Sequence, residues 1–303
     1  MIVLAYDLSP SAARAAALIA HTPWPAGTVV RIVTSPVGIG PGSSSFAGLR
    51  EVRAHSRRRK VSIESAQAGV AAEITGSGLR VETALARGRP GNAIIREAEA
   101  VDADVIIAGA RDQGRVAATL LGSVSTDIVE RAQCSVLIAR GTSFARVMFA
   151  TDGSAAAAVA TRLLAEWPLF ATSRIRVVGV GESAPSYAGI VMSADELRAG
   201  VGETLGPTAT ATEAIVGQTV RLLTSTHRDV EAHVRIGDPG REIVASAGEW
   251  AADLVVLGSN SQPGLRRLLL GSVARTVMHG VDASALIVRS LRRHDGNSGL
   301  RGR

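Results

Sequence analysis

Aromatic residues are scarce in this chain: phenylalanine, tryptophan and tyrosine together make up 3% of 303 residues. Hydrophobic residues still reach 46%, so the cores must be built from Ala, Val, Leu and Ile. That composition suits parallel sheets covered by helices on both faces. Lysine is nearly missing as well. Lys60 stands alone among 33 basic residues, and arginine supplies the rest. The net charge of +6 and pI of about 10.7 attract acidic partners in general. Without aromatics interleaved among the basic residues there is no platform for stacking on bases, so no nucleic-acid partner is expected. The run Arg57-Arg58-Arg59-Lys60 reads as a solvated helix face.

The single cysteine, Cys134, excludes an intramolecular disulfide and fits a reducing compartment. Its place before a strand-like run points to packing rather than nucleophilic chemistry. No apolar run approaches the roughly 20 residues that cross a bilayer. The N-terminus enters an apolar strand directly, without the basic segment, apolar core and cleavage site of a secretory leader. The expectation is a cytoplasmic protein without membrane contact. The 6 histidines show no metal-ligand spacing. Each is expected to be an ordinary surface or loop residue, and no metal site is assigned from the sequence. Trp24, Trp167 and Trp250 fall at helix or loop ends and read as core plugs.

What the chain has in abundance is itself, repeated. Residues 88–140 align on 237–289 without a gap at a constant offset of 149, with 18 of 53 positions identical. Each copy carries Gly-x-Pro-Gly, at Gly88 to Gly91 and Gly237 to Gly240. Each then has a strand-like run ending in glycine, Asp104 to Gly109 and Asp253 to Gly258. Thirteen residues on, each has Gly-Ser-Val, at Gly122-Ser123-Val124 and Gly271-Ser272-Val273. The length fits about two ordinary domains, placed at 1–141 and 144–290. The Gly-, Asn- and Arg-containing tail 291–303 is expected to be disordered.

In copy one, strands are expected at 2–6, 28–34, 79–85, 104–108 and 136–139. Helices are expected between them at 9–20, 49–75 (whole or broken), 90–101 and from 123. Ser9 is a natural N-cap and Pro10 suits the first turn. Copy two repeats the order, with strands at 147–150, 175–180, 230–236, 254–257 and 286–288. Strands alternating with helices predict an α/β fold: two tandem, doubly wound, five-stranded parallel-sheet domains of Rossmann-like, nucleotide-binding type. The last strand of each copy, 136–139 and 285–288, is the expected sheet edge.

In such sheets ligands bind outside the carboxyl ends of the strands. Asp7 and Asp152 end the first strands, and Gly109 and Gly258 end the fourth. A glycine there lets either backbone or ligand approach closely. Gly122-Ser123-Val124 and Gly271-Ser272-Val273 place free N–H groups at a helix start, ready for an anion. The plainer reading is that Gly-Ser caps a helix and that each aspartate caps the helix after it. Recurrence at one spacing favours a ligand.

These motifs resemble the universal stress protein family, in tandem, from Ile2 to Arg289. The features are a first strand ending in Asp before Ser-Pro-Ser or Gly-Ser, then Gly-x-Pro, Ala-Asp-hydrophobic-Gly and Gly-Ser-Val. The nucleotide-binding branch of that family has Gly, two residues, Gly, nine residues, Gly, then Ser or Thr. Here copy one reads Gly109, Asp112, Gly122, Ser123, and copy two reads Gly258, Ser261, Gly271, Ser272. Both lack the middle glycine. The resemblance implies ATP, with Mg²⁺, in a stress-response protein that acts by occupancy rather than turnover. It also implies that the two copies pack as a pseudo-dimer, with their last-strand edges as one way to meet, and a homo-oligomer or a regulatory protein partner. Asp112 sets a like charge near phosphate, whereas Ser261 is neutral and Arg266 and Arg267 follow it, so copy two is favoured. Two alternatives stand beside this: a nucleotide-free scaffold, and an adenylyl-transferring enzyme. The enzyme is disfavoured by the lack of a Gly-x-x-x-x-Gly-Lys-[Ser/Thr] loop, a Ser-Gly-Gly-x-Asp-Ser loop and paired histidines.

Overall fold

A computed structural model describes residues 1–36, 49–110, 121–181, 209–227, 229–259 and 270–289, with backbone alone for 49–57 and 59. In the first half, β1 (Ile2–Ala5), α1 (Pro10–His21), β2 (Val29–Thr34), α2 (Leu49–Gly76) and β3 (Arg80–Leu85) follow one another. Then come α3 (Pro90–Ala100), β4 (Val105–Gly109), α4 (Ser123–Arg131) and β5 (Ser135–Ala139). The second half repeats the order with β6 (Arg146–Ala150), α5 (Ala155–Glu166), β7 (Arg174–Gly181), α6 (Ala209–Thr224) and β8 (Val230–Ile236). It ends with α7 (Pro239–Glu249), β9 (Leu254–Gly258), α8 (Ser272–Gly280) and β10 (Ser284–Val288). Of the two forms open for α2, whole or broken, the structure shows the whole one: its 28 residues form one helix. The tail from Leu291 lies outside the described residues.

Local signals explain the elements. Ser9 caps α1, its hydroxyl accepting from Ala12 N at 3.2 Å, with Pro10 in the first turn. Ser154 caps α5 in the same way through Ala157 N, at 3.2 Å. In each Gly-x-Pro-Gly, the first glycine takes a positive φ (109° at Gly88, 150° at Gly237) and the proline opens the helix. The last glycine lets the next helix pack close: a Cβ on Gly91 would lie 2.6 Å from that of Asp127, and one on Gly240 2.8 Å from that of Thr276.

Each half is a parallel sheet with the strand order 3-2-1-4-5. The reversal of order beside the first strand opens a crevice at the strand carboxyl ends. The two sheets are one, however. All ten strands run in the order β3-β2-β1-β4-β5-β10-β9-β6-β7-β8. β5 and β10, the outer strands expected for the two halves, are where the halves join, as the family resemblance implied: they pair with each other, antiparallel, and the edges of the joint sheet are β3 and β8. The pseudo-twofold passes through the pair Leu137–Leu286, equivalent residues set opposite one another. Because the halves run in opposite directions, their ligand crevices open at opposite ends of the sheet.

The seam is closed by a reciprocal clasp. Arg140 donates to Met278 O at 2.7 Å and Ala283 O at 3.1 Å, and its equivalent, Arg289, donates to Val129 O at 2.5 Å. Val129 and Met278 lie in the last turns of α4 and α8, where unpaired carbonyls carry partial negative charge. That charge helps to offset the burial of both guanidinium groups, whose pKa values burial lowers. Below them, Ser284 Oγ accepts from Arg140 N at 3.1 Å and Gly141 N at 3.2 Å, while Ser135 Oγ accepts from Arg289 N at 3.3 Å. One hydrophobic core lies on each face of the sheet, and both cross the seam. Trp24 and Trp167 meet edge to face across it, ring centres 6.0 Å apart. Burying apolar surface is the dominant favourable term in folding, and here the halves share it.

Candidate functional site

The crevice of each half starts at an aspartate turn. Asp7 Oδ1 accepts from Ser9 N at 3.0 Å, and Asp152 Oδ1 accepts from Ser154 N at 2.9 Å. The carboxylates thus fix the turn into the next helix, while serine does the capping. Both remain exposed and line a cavity. Between Asp7 and Ser9, Leu8 has φ 67°, a left-handed conformation that copy two gives to Gly153, at φ 76°.

Backbone presses on Gly109 and Gly258. A Cβ on Gly109 would fall well under 3.0 Å from the Ser11 carbonyl and 2.9 Å from Ala12 N. On Gly258 it would lie 2.8 Å from Ala157 N. The first turn of α1 or α5 rests directly on the end of the fourth strand of its half. Of the two kinds of approach open from sequence, helix on strand is the one these contacts show.

The Gly-Ser segments start helices in both halves. Gly122 is the N-cap of α4 and Gly271 the N-cap of α8, with Ser123 and Ser272 the first helical residues. Neither cap has a side chain bonded to the helix's free N–H groups. The reading in which serine caps these helices is replaced by one in which glycine does. Deeper in α4, Ser125 Oγ donates to Gly109 O at 3.2 Å, tying the helix to β4.

The first-half cavity, about 470 Å³, is lined by Asp7, Gly109 and Val124 among others. The second, about 290 Å³, is lined by Asp152, Gly258, Gly271, Ser272 and Val273. The repeat thus brings Asp7 and Asp152, Gly109 and Gly258, and Val124 and Val273 to matched places, whereas Gly122 and Ser123, unlike Gly271 and Ser272, are not among the lining residues. Asp112 and Ser261 lie outside the described residues, as do Arg266 and Arg267. The cavities also use residues that motif reading passed over. Tyr6 and Ile94 line the first, and Ile243 lines the second; their signal was position, at a strand end and in the helix after Gly-x-Pro-Gly. Burial raises the pKa of Tyr6, and neighbouring Asp7 and Glu73 add to the shift.

Elsewhere two readings shift. His227 is no surface histidine: it is buried, with Nε2 2.8 Å from Leu164 O. His233 has its Nε2 buried without a hydrogen-bond partner. Cys134 is a packing residue, its thiol pushed up to about 11, mainly by burial. Trp24 is buried, and Trp250 carries the Arg176 guanidinium 4.8 Å from its ring centre. Among the described residues no three His, Cys, Asp or Glu side chains converge to hold a metal, and no helix is long and apolar enough to cross a membrane.

The model of the universal stress protein family matches residues 1–140 and again 143–289. A universal stress protein of Mycolicibacterium smegmatis is 26% identical over 278 residues, 86% of each chain. One from Thermus aquaticus is 35% identical over 142 residues, covering 46% of this chain and 97% of its own. One from Synechocystis is 49% identical over 59 residues, but the match spans only 38% of its length. Among solved structures, a universal stress protein from Archaeoglobus fulgidus superposes with a TM-score of 0.64 at 17% identity, covering 95% of this chain and 97% of that one. At that identity the likeness speaks for the fold. With two consecutive family matches and two matched α/β halves, the chain belongs to the universal stress protein family and carries its domain twice.

Proposed function

We propose that the chain is a cytoplasmic ATP-binding regulatory protein whose output follows nucleotide occupancy rather than turnover. One observation carries this reading most directly. In each half, a helix start left open by a glycine N-cap stands beside a cavity at the strand carboxyl ends, with a carboxylate on the rim. Free N–H groups at a helix start favour phosphate, and an apolar cavity wall favours a base. The residues present fit a nucleotide in this way. Gly122, Ser123 and Val124, or Gly271, Ser272 and Val273, would face its phosphates. Asp112 and Ser261 belong to the same loops.

Mg²⁺ would arrive with the nucleotide. Such ions take one or two carboxylates together with substrate phosphates rather than an all-protein cage, and Asp7 or Asp152 is the carboxylate at hand. Occupancy is the assigned output because, among the described residues, each cavity offers a single carboxylate, Asp7 or Asp152, with no second carboxylate, histidine, cysteine or lysine beside it. Acid–base chemistry needs a proton acceptor and a proton donor placed together on the substrate. A regulatory protein partner or a further copy of the chain would read out the occupied state.

The test is calorimetry with Mg·ATP alongside a steady-state phosphate-release assay on the same preparation. Saturable binding without turnover supports the reading. Steady hydrolysis or adenylyl transfer would turn it into an enzyme. No binding would leave the nucleotide-free scaffold.

A further inference from the structure

We propose that the two cavities are not equivalent. Only the first-half cavity keeps the compartment that receives a nucleotide base, so the chain binds one Mg·ATP, not two. This rests on the nucleotide reading above. The cavities share equivalent walls, with Asp7 matching Asp152, Val33 matching Val178 and Ile94 matching Ile243. They part on the side facing α2 or α6. In the first half the cavity runs past the end of β2 to Pro36 and on to Ser62 and Ile63 of α2. In the second half no described residue of α6 lines it; the start of the last helix is reached in both halves, through Val124 and Ser125 in the first and Gly271 to Ala274 in the second.

The cause lies at the end of the second strand of each half. Val33 pairs with Ala5 as Val178 pairs with Ala150, so Thr34-Ser35-Pro36 occupies the place of Gly179-Val180-Gly181. Thr34 Oγ1 accepts a hydrogen bond of 3.0 Å from Gln67 Nε2, which keeps a polar pair standing between β2 and α2. Gly179 offers no such spacer. A Cβ there would lie 2.5 Å from Val216 Cγ2 and 2.6 Å from Thr212 Cγ2, and one on Gly181 3.2 Å from Ala209 Cα. The helix α6 therefore lies down on β7, and its side chains take the volume that stays open in the first half. At the repeat offset of 149, Thr212 matches Ile63 and Val216 matches Gln67. The closure is tight enough to bury the Thr212 hydroxyl without a partner.

Size points the same way. Sites for small organic ligands usually hold about 300–1,000 Å³. The first cavity, at about 470 Å³, is inside that range, and the second, at about 290 Å³, is at its floor. The features of copy two that favour ATP from sequence, Ser261 with Arg266 and Arg267, act on phosphate. They do not make room for a base.

The experiment is calorimetry of the full chain with Mg·ATP, on the wild type and two variants that each fill one cavity. Ser62→Trp places an indole in the first-half compartment from an exposed helix position, and Val180→Trp fills the second-half cavity. The expected results are one ATP per chain, at least a tenfold weaker affinity in Ser62→Trp, and less than a twofold change in Val180→Trp. Thermal melts of the variants check their folding. Photolabelling of the wild type with an azido-ATP, followed by peptide mapping, gives a readout independent of any variant, and the label should fall within 1–140. Two ATP per chain, label within 143–289, or loss of binding in Val180→Trp alone would overturn the asymmetry while leaving the nucleotide reading intact. No ATP bound by the wild type would end both.

Discussion

Substituting Gly109 by alanine separates two explanations of why a glycine ends the fourth strand. The new Cβ would meet the main chain at Ser11 and Ala12, well inside any ordinary contact distance. Main chain cannot swing aside as the tip of a side chain can, so the first turn of α1 must move. Overpacking of this kind costs about 1–3 kcal/mol. Loss of glycine's freedom in the unfolded chain returns roughly 0.4–1 kcal/mol. The net expectation is a loss of about 1–2 kcal/mol, or a melting temperature lower by a few degrees. Gly258→Ala should behave alike, because its Cβ would meet Ala156 and Ala157. Gly141→Ala is the control: nothing lies within 4 Å of its added Cβ, so its stability should match or slightly exceed that of the wild type. Denaturant unfolding of all three variants, read by circular dichroism, measures the differences. Gly109→Ala unfolding at the wild-type midpoint would refute the packing argument. If such a variant also bound ATP poorly, close ligand approach would explain the glycine after all.

Three further outcomes follow from particular residues. Leu8 holds φ 67° and is 40% exposed, so Leu8→Gly should relieve about 1 kcal/mol of left-handed strain against roughly 0.4–1 kcal/mol for glycine's added freedom in the unfolded chain, leaving the denaturation midpoint at or slightly above that of the wild type. Ser284→Ala removes the acceptor of two backbone N–H groups at the seam, and Ser135→Ala removes that of one. At about 1 kcal/mol per net hydrogen bond, the first should lose roughly twice as much stability as the second. His233 has its pKa lowered by burial, with Arg176 and Arg235 adding to it. At pH values above about 6.5 both folded and unfolded states are neutral there. Below that pH the unfolded state takes up the proton first, so stability falls as pH falls. His233→Gln should flatten the dependence of the melting temperature between pH 7 and pH 5, and an unchanged slope would assign it to other groups.

Much of this was legible because the repeat writes each local signal twice. Strand runs, Ser9 and the Gly-x-Pro-Gly turns located the elements to within a residue or two. The joining of the halves through their last strands was implied by the family resemblance, not by the strands themselves. Nothing in Val136 to Ala139 distinguishes an edge from a strand paired with its own repeat, since both are apolar. The clue was the recurrence of Arg140 as Arg289, a charged residue just past a buried strand in both copies, which becomes intelligible only once α4 and α8 present their carbonyl ends to it. The role of Gly109 was half legible. Its need for close approach followed from residue type, but the partner, α1, is remote in sequence and is set by tertiary packing. The difference between Thr34-Ser35-Pro36 and Gly179-Val180-Gly181 was in plain view, yet the offset between copies there is 145 rather than 149, so the gapless alignment never compared them.

The central claim, a nucleotide held as a regulatory ligand, is tested most directly by what the protein itself retains. Freshly purified wild-type protein, denatured and filtered, should release ATP at close to one mole per mole of chain on ion-exchange chromatography. Extended incubation before denaturation should not convert that ATP to ADP. Release of no adenine nucleotide, together with no uptake of added Mg·ATP, would contradict the claim and leave a two-domain scaffold in its place.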